Sequence, residues 1–214
     1  MHDAELTRNI RILIVDDHPV VREGLSSMLR RQRGLSVAAA VPGGRPAIDF
    51  VKNSPVDVAL VDLRMPGFSG IESIRELKRI APDIKVVVLS SFEFDEEIYQ
   101  AVEAGASGYL LKEMDSATIV DAIREAFRGK LCFPRHITQR LAERKQRSEL
   151  SPREREILEL VAKGFTNKEI ASALQLSQFT VRNHINSLTS KLQVSDRTEA
   201  AFFAVQTGII IVSH

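Results

Sequence analysis

The apolar residues of the first 128 positions fall in short unbroken runs near 11–15, 35–39, 56–61, 85–89 and 108–111. Between them, stretches near 19–32, 45–53, 70–80, 95–104 and 116–128 carry helical spacing. Regular β/α alternation predicts a parallel sheet with helices on both faces. Runs that are apolar throughout suit strands buried on both sides. The second run, Leu35-Ser36-Val37-Ala38-Ala39, is the least apolar, and Pro42-Gly43-Gly44 ends it.

After residue 148 the pattern becomes helical. Ser151-Pro152-Arg153-Glu154 and Thr166-Asn167-Lys168-Glu169 are capping boxes, the first with proline at the opening helical position. Asp196-Arg197-Thr198-Glu199 reads as a third box, and Gly164 stands where a left-handed cap is needed. The expected helices span 152–163, 167–174, 178–192 and 197–207, with one more near 134–145. The chain therefore divides into an α/β domain at 8–128, a linker at 129–147 and an all-α domain at 148–214.

Charge sharpens that division. Residues 1–127 hold 15 Lys/Arg against 20 Asp/Glu, residues 128–147 hold 7 against 1, and residues 148–214 hold 7 against 7. A cationic connector thus joins an acidic domain to a neutral one. The single cysteine, Cys132, excludes an intrachain disulfide and fits a reducing cytoplasm. The first ten residues lack the apolar core of a signal peptide, and the apolar stretch at 208–212 is far shorter than the roughly 20 residues that span a bilayer. The expectation is a soluble cytoplasmic protein without a membrane partner.

Four strand-like runs end at reactive residues. Ile12-Leu13-Ile14-Val15 leads into Asp16 and Asp17, and Val58-Ala59-Leu60-Val61 into Asp62. Val86-Val87-Val88-Leu89 leads into Ser90, and Tyr109-Leu110-Leu111 into Lys112. An open parallel sheet places its ligand site at the carboxyl ends of its strands. Three carboxylates, a hydroxyl and an ammonium would meet there. Clustered carboxylates resist joint ionisation unless a cation is bound, and magnesium takes oxygen ligands from one or two carboxylates while keeping waters. A carboxylate such as Asp62 is also a nucleophile that takes a phosphoryl group as an acyl phosphate.

ILIVDDHPVVREGL, VDVALVDLRMPGFSG, VVVLSS and AGASGYLLK together resemble the receiver domain of two-component response regulators over residues 10–128. The resemblance implies a (βα)5 flavodoxin-like, doubly wound sheet of order 2-1-3-4-5. It implies that Asp62 is the phospho-acceptor, assisted by Lys112 and Ser90. It makes Asp16, Asp17 and Asp62 the Mg2+ site, completed by the backbone carbonyl of Arg64, and Ser90 with Tyr109 the switch pair. Two features depart from the pattern. Lys112 precedes Glu113 where many receivers have proline, which leaves the geometry of that peptide open. Arg64 and Phe92 stand where some receivers place an amide or acid, which implies a long-lived acyl phosphate.

In the second half, Val181, Ile185, Leu188 and Leu192 form one helix face, with Arg182, Asn183, Asn186 and Ser190 opposite. No acidic residue occurs from 177 to 194. Arginine suits guanine and asparagine suits adenine in the major groove, and the short turn near Gln175-Leu176 gives helix-turn-helix spacing. LSPREREILELVAKGFTNKEIASALQLSQFTVRNHINSLTSKLQV resembles the LuxR-type helix-turn-helix domain, and the whole chain resembles a NarL/FixJ-family response regulator. By that likeness Arg182, Asn183 and Asn186 read bases, while Thr180 and Lys191 meet phosphates. The role of His184 stays open between a structural hydrogen bond and DNA contact. The family often has lysine at the positions of Arg182 and Asn186, which implies an altered operator preference.

The helix at 197–207 resembles the family's dimer element, with Ala200, Ala201 and Ala204 allowing close approach. The implied partners are a sensor histidine kinase, double-stranded promoter DNA, a second copy of the chain and, for an activator, RNA polymerase. The resemblance further implies a receiver that covers the DNA-binding helix until phosphorylation. A regulator that binds DNA without phosphorylation stays open within the family. An aspartate-dependent phosphatase would want a second aspartate at position 64. A flavin-binding domain would want a Ser/Thr/Gly-rich loop where this chain has Asp16-Asp17-His18-Pro19.

Overall fold

The computed structural model describes residues 9–145 and 149–210; the boundaries placed at residues 8, 147, 148 and 214 lie outside them. The chain divides into two compact units, the first through Glu93 and over Glu97–Thr138, the second comprising Phe94–Glu96 and the chain from Gln139 onward.

A parallel sheet forms the first unit. Its strands are β1 Ile10–Val15, β2 Leu35–Val41, β3 Val58–Val61, β4 Lys85–Ser90 and β5 Gly108–Leu111, in the order β2-β1-β3-β4-β5. Helices α1 Pro19–Arg30, α2 Gly44–Asn53, α3 Gly70–Ile80, α4 Asp95–Glu103 and α5 Ser116–Phe127 follow the strands in turn. This is the expected doubly wound architecture. Strand β3 is wholly buried, whereas edge strand β2 is mostly half-buried, which accounts for its weaker apolar run.

Two strand limits differ from the expectation by more than one residue. Strand β2 continues to Val41, held by pairing to Val15. Strand β3 begins at Val58 rather than 56, because the Asp57 carboxylate accepts a hydrogen bond from the Arg11 amide at 2.8 Å. Helix limits agree with the expectation to within two residues.

The second unit holds α7 Pro152–Ala162, α8 Asn167–Ala173, α9 Gln178–Leu192 and α10 Arg197–Gln206; α6 Arg135–Lys145 lies in the connector. Both expected capping boxes form, at Ser151 with Glu154 and at Thr166 with Glu169. Gly164 has φ +85°, the left-handed backbone its position calls for. The third box is corrected. Asp196 caps α10, but Glu199 reaches past it to the Ser195 amide at 2.7 Å. Two of the three alanines of α10 are also corrected. Ala200 and Ala204 are fully buried in the unit's own core with Ile157 and Leu188, so they are not a surface for a second copy. The outward apolar residues of α10 are Phe202, 70% exposed, and Val205, 42% exposed.

Candidate functional site

Strand register brings the reactive residues to one edge. Val15 pairs with Val61, Val61 with Val88 and Ser90 with Leu111. The ladder runs on into the site: the Asp62 amide donates to Val15 O at 2.8 Å and the Lys112 amide to Ser90 O at 2.9 Å. Gly70, the first residue of α3, lies directly behind the acceptor. A Cβ there would stand 2.2 Å from the Asp62 carbonyl oxygen and 2.4 Å from Leu63 Cα. Only glycine lets α3 begin so close to this loop.

Lys112 is the hub of the charges. Its Nζ lies 2.6 Å from Asp62 Oδ2 and 2.7 Å from Asp16 Oδ2, and both carboxylates are buried. Burial disfavours the ammonium, but hydrogen bonds to Asp16 and Asp62 outweigh it and hold the Lys112 pKa above its ordinary value. Asp16 also accepts from the His18 amide at 2.8 Å, and its carbonyl accepts from Arg22 Nη1 at 2.7 Å. Asp17 Oδ1 is buried with no donor aligned on it, although His18 Nδ1 stands 2.9 Å away.

One ligand atom from each of Asp16, Asp17, His18 and Asp62 falls within a 4.8 Å cluster. Three carboxylates face one ammonium at this edge, an excess of two acidic groups, with the His18 ring beside Asp16 and Asp17. That excess and the oxygen-rich donor set fit one hard divalent cation. The Arg64 amide donates to Asp62 Oδ1 at 3.3 Å, so its main chain wraps the acceptor. The Arg64 guanidinium bonds Glu97 through Nε at 3.0 Å and lies 4.0 Å from the Phe92 ring centroid.

Ser90 and Tyr109 are both fully buried. They are linked through Phe92, whose amide donates to Ser90 Oγ at 3.2 Å and whose carbonyl accepts from the Tyr109 hydroxyl at 2.7 Å. Burial pushes the phenol well above its usual range, against the opposing effect of its hydrogen bond with Ser90. No peptide bond among the described residues is cis, so Lys112–Glu113 is trans.

In the second unit, Ser177 caps α9 by accepting from the Thr180 amide at 3.0 Å. Val181, Ile185, Leu188 and Leu192 are buried, whereas Arg182, Asn183 and Asn186 are exposed. Thr180 and His184 are half-buried. Lys191 has a partner within its own unit. Its Nζ lies 2.7 Å from Glu154 Oε2, while Ser187 Oγ donates to Glu154 Oε1 at 2.6 Å. Glu154 is only 3% exposed. Burial alone would raise its pKa, but bonds from Lys191, Ser187 and the Ser151 amide hold it down at about 2. Glu154 is legible in the sequence as a cap; its second task, pinning α9 from 37 positions away, leaves no local pattern. The same holds for Glu97, 33 positions from Arg64.

Comparison with known proteins agrees with both units. Residues 12–124 match the response regulator receiver domain, and residues 148–204 match the bacterial regulatory proteins of the luxR family. The response regulator protein VraR of Staphylococcus epidermidis is 40% identical over 206 residues, covering 94% of this chain and 99% of the relative. VraR of Staphylococcus aureus shows the same identity and coverage. The structure of the response regulator RcsB in complex with DNA aligns with TM-score 0.69 at 27% identity, over 93% of this chain and 99% of that one. The crystal structure of ChrA, a response regulator of a heme-sensing two-component system, aligns with TM-score 0.54 at 36% identity, over 94% and 99%. Among the described residues no helix is long and apolar enough to cross a membrane.

Proposed function

The chain belongs to the DNA-binding response regulators of two-component systems that join a receiver to a LuxR-type helix-turn-helix domain, and from that premise we propose that phosphorylation of Asp62 controls how α9 engages DNA. The observation that carries this reading is the charge imbalance at the sheet edge, where three carboxylates face one lysine. A sensor histidine kinase supplies the phosphoryl group. A carboxylate oxygen of Asp62 forms the new O–P bond as the bond from phosphorus to the kinase histidine breaks.

Asp16, Asp17 and Asp62, with the Arg64 carbonyl, would hold Mg2+ at this site. When bound, the ion supplies positive charge to the phosphoryl oxygens. Lys112, already 2.6 Å from Asp62 Oδ2, shifts its ammonium onto the incoming oxygens. Ser90 donates its hydroxyl to the same group and Tyr109 changes rotamer, so the Phe92 backbone that links them moves too. Arg64, held by Glu97 and stacked on Phe92, places no water-orienting amide or acid there, which favours a long-lived acyl phosphate.

DNA binding rests on the exposed face of α9. Arg182, Asn183 and Asn186 read bases in the major groove, while Thr180, beside the helix N-terminus, meets a phosphate. Lys191, already bound to Glu154, contributes chiefly by setting the pose of α9. Dimerisation uses the outer face of α10, through Phe202 and Val205. A dimer on promoter DNA then recruits or excludes RNA polymerase.

A duplex selection from random sequence, run on the full chain with and without phosphorylation, tests the reading. A specific site enriched more strongly by the phosphorylated chain, and not by Asp62→Ala, is the expected result. Equal enrichment in all three cases contradicts it.

A further inference from the structure

Phe179 is an exposed apolar residue on the polar face of α9. It is the second residue of α9 and is 71% exposed. At about 100° per residue, Arg182, Asn183, Asn186 and Ser190 lie within about 60° of it around the helix. The buried Val181, Ile185, Leu188 and Leu192 lie about 180–240° away on the same reckoning. Phe179 therefore points out through the middle of the polar face, one turn before Arg182 and Asn183. Among the described residues it lies outside the core of its own unit, and no acidic residue shares the helix.

We propose that Phe179 is a specificity-determining residue that reads the 5-methyl group of a thymine in the major groove. This rests on the functional reading above, in which α9 enters that groove. The first turn of a recognition helix is the part that reaches base edges. A phenyl ring neither donates to a base nor neutralises a phosphate. The apolar feature that a base pair offers in the major groove is the thymine methyl. Covering it removes two apolar surfaces from water at once. Phe179 thus adds a thymine to a footprint in which Arg182 prefers guanine and Asn183 and Asn186 prefer adenine.

The test uses the full chain and a duplex site obtained by selection. Each thymine of one half-site is replaced in turn by deoxyuridine, which lacks only the methyl. The wild type should lose about fourfold in affinity at one such position, the effect of one methyl-sized group. Replacing that base pair so that 5-methylcytosine stands in place of thymine should recover affinity relative to unmethylated cytosine. Phe179→Ala, which alters an exposed side chain and should melt like the wild type, should bind the parent site more weakly and show no uracil penalty. The proposal is overturned if no uracil position weakens the wild type, or if Phe179→Ala keeps the same penalty. It is equally overturned if Phe179→Ala weakens all duplexes alike, which would put the ring on the sugar-phosphate backbone. Failure of the wild type to select any site would remove the functional reading itself and the proposal with it.

Discussion

Each unit of this protein buries carboxylates against a lysine, and the two clusters are finished differently. In the first, Lys112 bridges Asp16 and Asp62 while Asp17 stands alongside, so one cation serves three anions. In the second, Lys191 serves Glu154 alone, and Ser187 and the Ser151 amide fill the remaining acceptor sites. A saturated cluster holds two helices together and has nothing left to bind. On the proposed function, the undersaturated cluster keeps charge in reserve for a cation and a phosphoryl group. The same residue types form a saturated pin in one place and, on the proposed function, a reactive site in the other because their counts differ.

Removing each lysine-side balance should expose that difference. Lys112→Met leaves Asp16 and Asp62 facing each other without a cation, a loss of about 3–5 kcal/mol on the scale of broken buried pairs. Urea unfolding in EDTA should show that loss, and excess Mg2+ should restore most of it. If the variant unfolds like the wild type with and without the ion, the first cluster is not undersaturated.

Glu154→Gln should cost the second unit about 3 kcal/mol, the equivalent of a carboxylate held at about 2 instead of 4.5. The folded value is depressed, so this stability is fully present above pH 4.5 and drains away as pH falls toward 2. The variant should lose that acid dependence in thermal unfolding of the second unit, and Mg2+ should change nothing. Divalent rescue of Glu154→Gln would erase the contrast between the clusters.

Arg182→Ala sharpens the comparison from the DNA side. It lies on the exposed face of α9, away from the Glu154 pin, so melting should stay unchanged while specific binding weakens by about 1–3 kcal/mol. Equal weakening on random duplex would move Arg182 from bases to phosphates. Arg64→Gln tests the smallest effect. It removes the Glu97 pair and places an amide beside the acceptor, and loss of phosphate from the purified phosphoprotein should speed up about fivefold, roughly 1 kcal/mol. An unchanged half-life would show that the Arg64 and Phe92 stack does not protect the acyl phosphate.

The sheet and its reactive edge were legible because a parallel strand is apolar to its end and the next residue enters the site. Asp16, Asp62 and Lys112 could be read this way without any long-range information. Side-chain partners were not legible. Asp57 replaces a ladder contact through its carboxylate, which moved the start of β3. Small residues on α10 suit either a partner or the unit's own core, and Ala200 and Ala204 proved to be core. Lys191 carries a charge consistent with phosphate contact, and its partner within the fold, Glu154, lies 37 positions away. Phe179 carries no hydrogen-bonding group and stands out in the sequence only as an apolar residue in the polar arc of α9.

The most direct measurement is duplex affinity for one selected site, taken for the wild type and Asp62→Ala, each before and after incubation with a small-molecule phosphoryl donor and Mg2+. The account predicts tighter binding by the treated wild type, together with a mass increase of one phosphoryl group, and neither change in Asp62→Ala. Identical tightening in Asp62→Ala, or full phosphorylation of the wild type with no change in affinity, would contradict it.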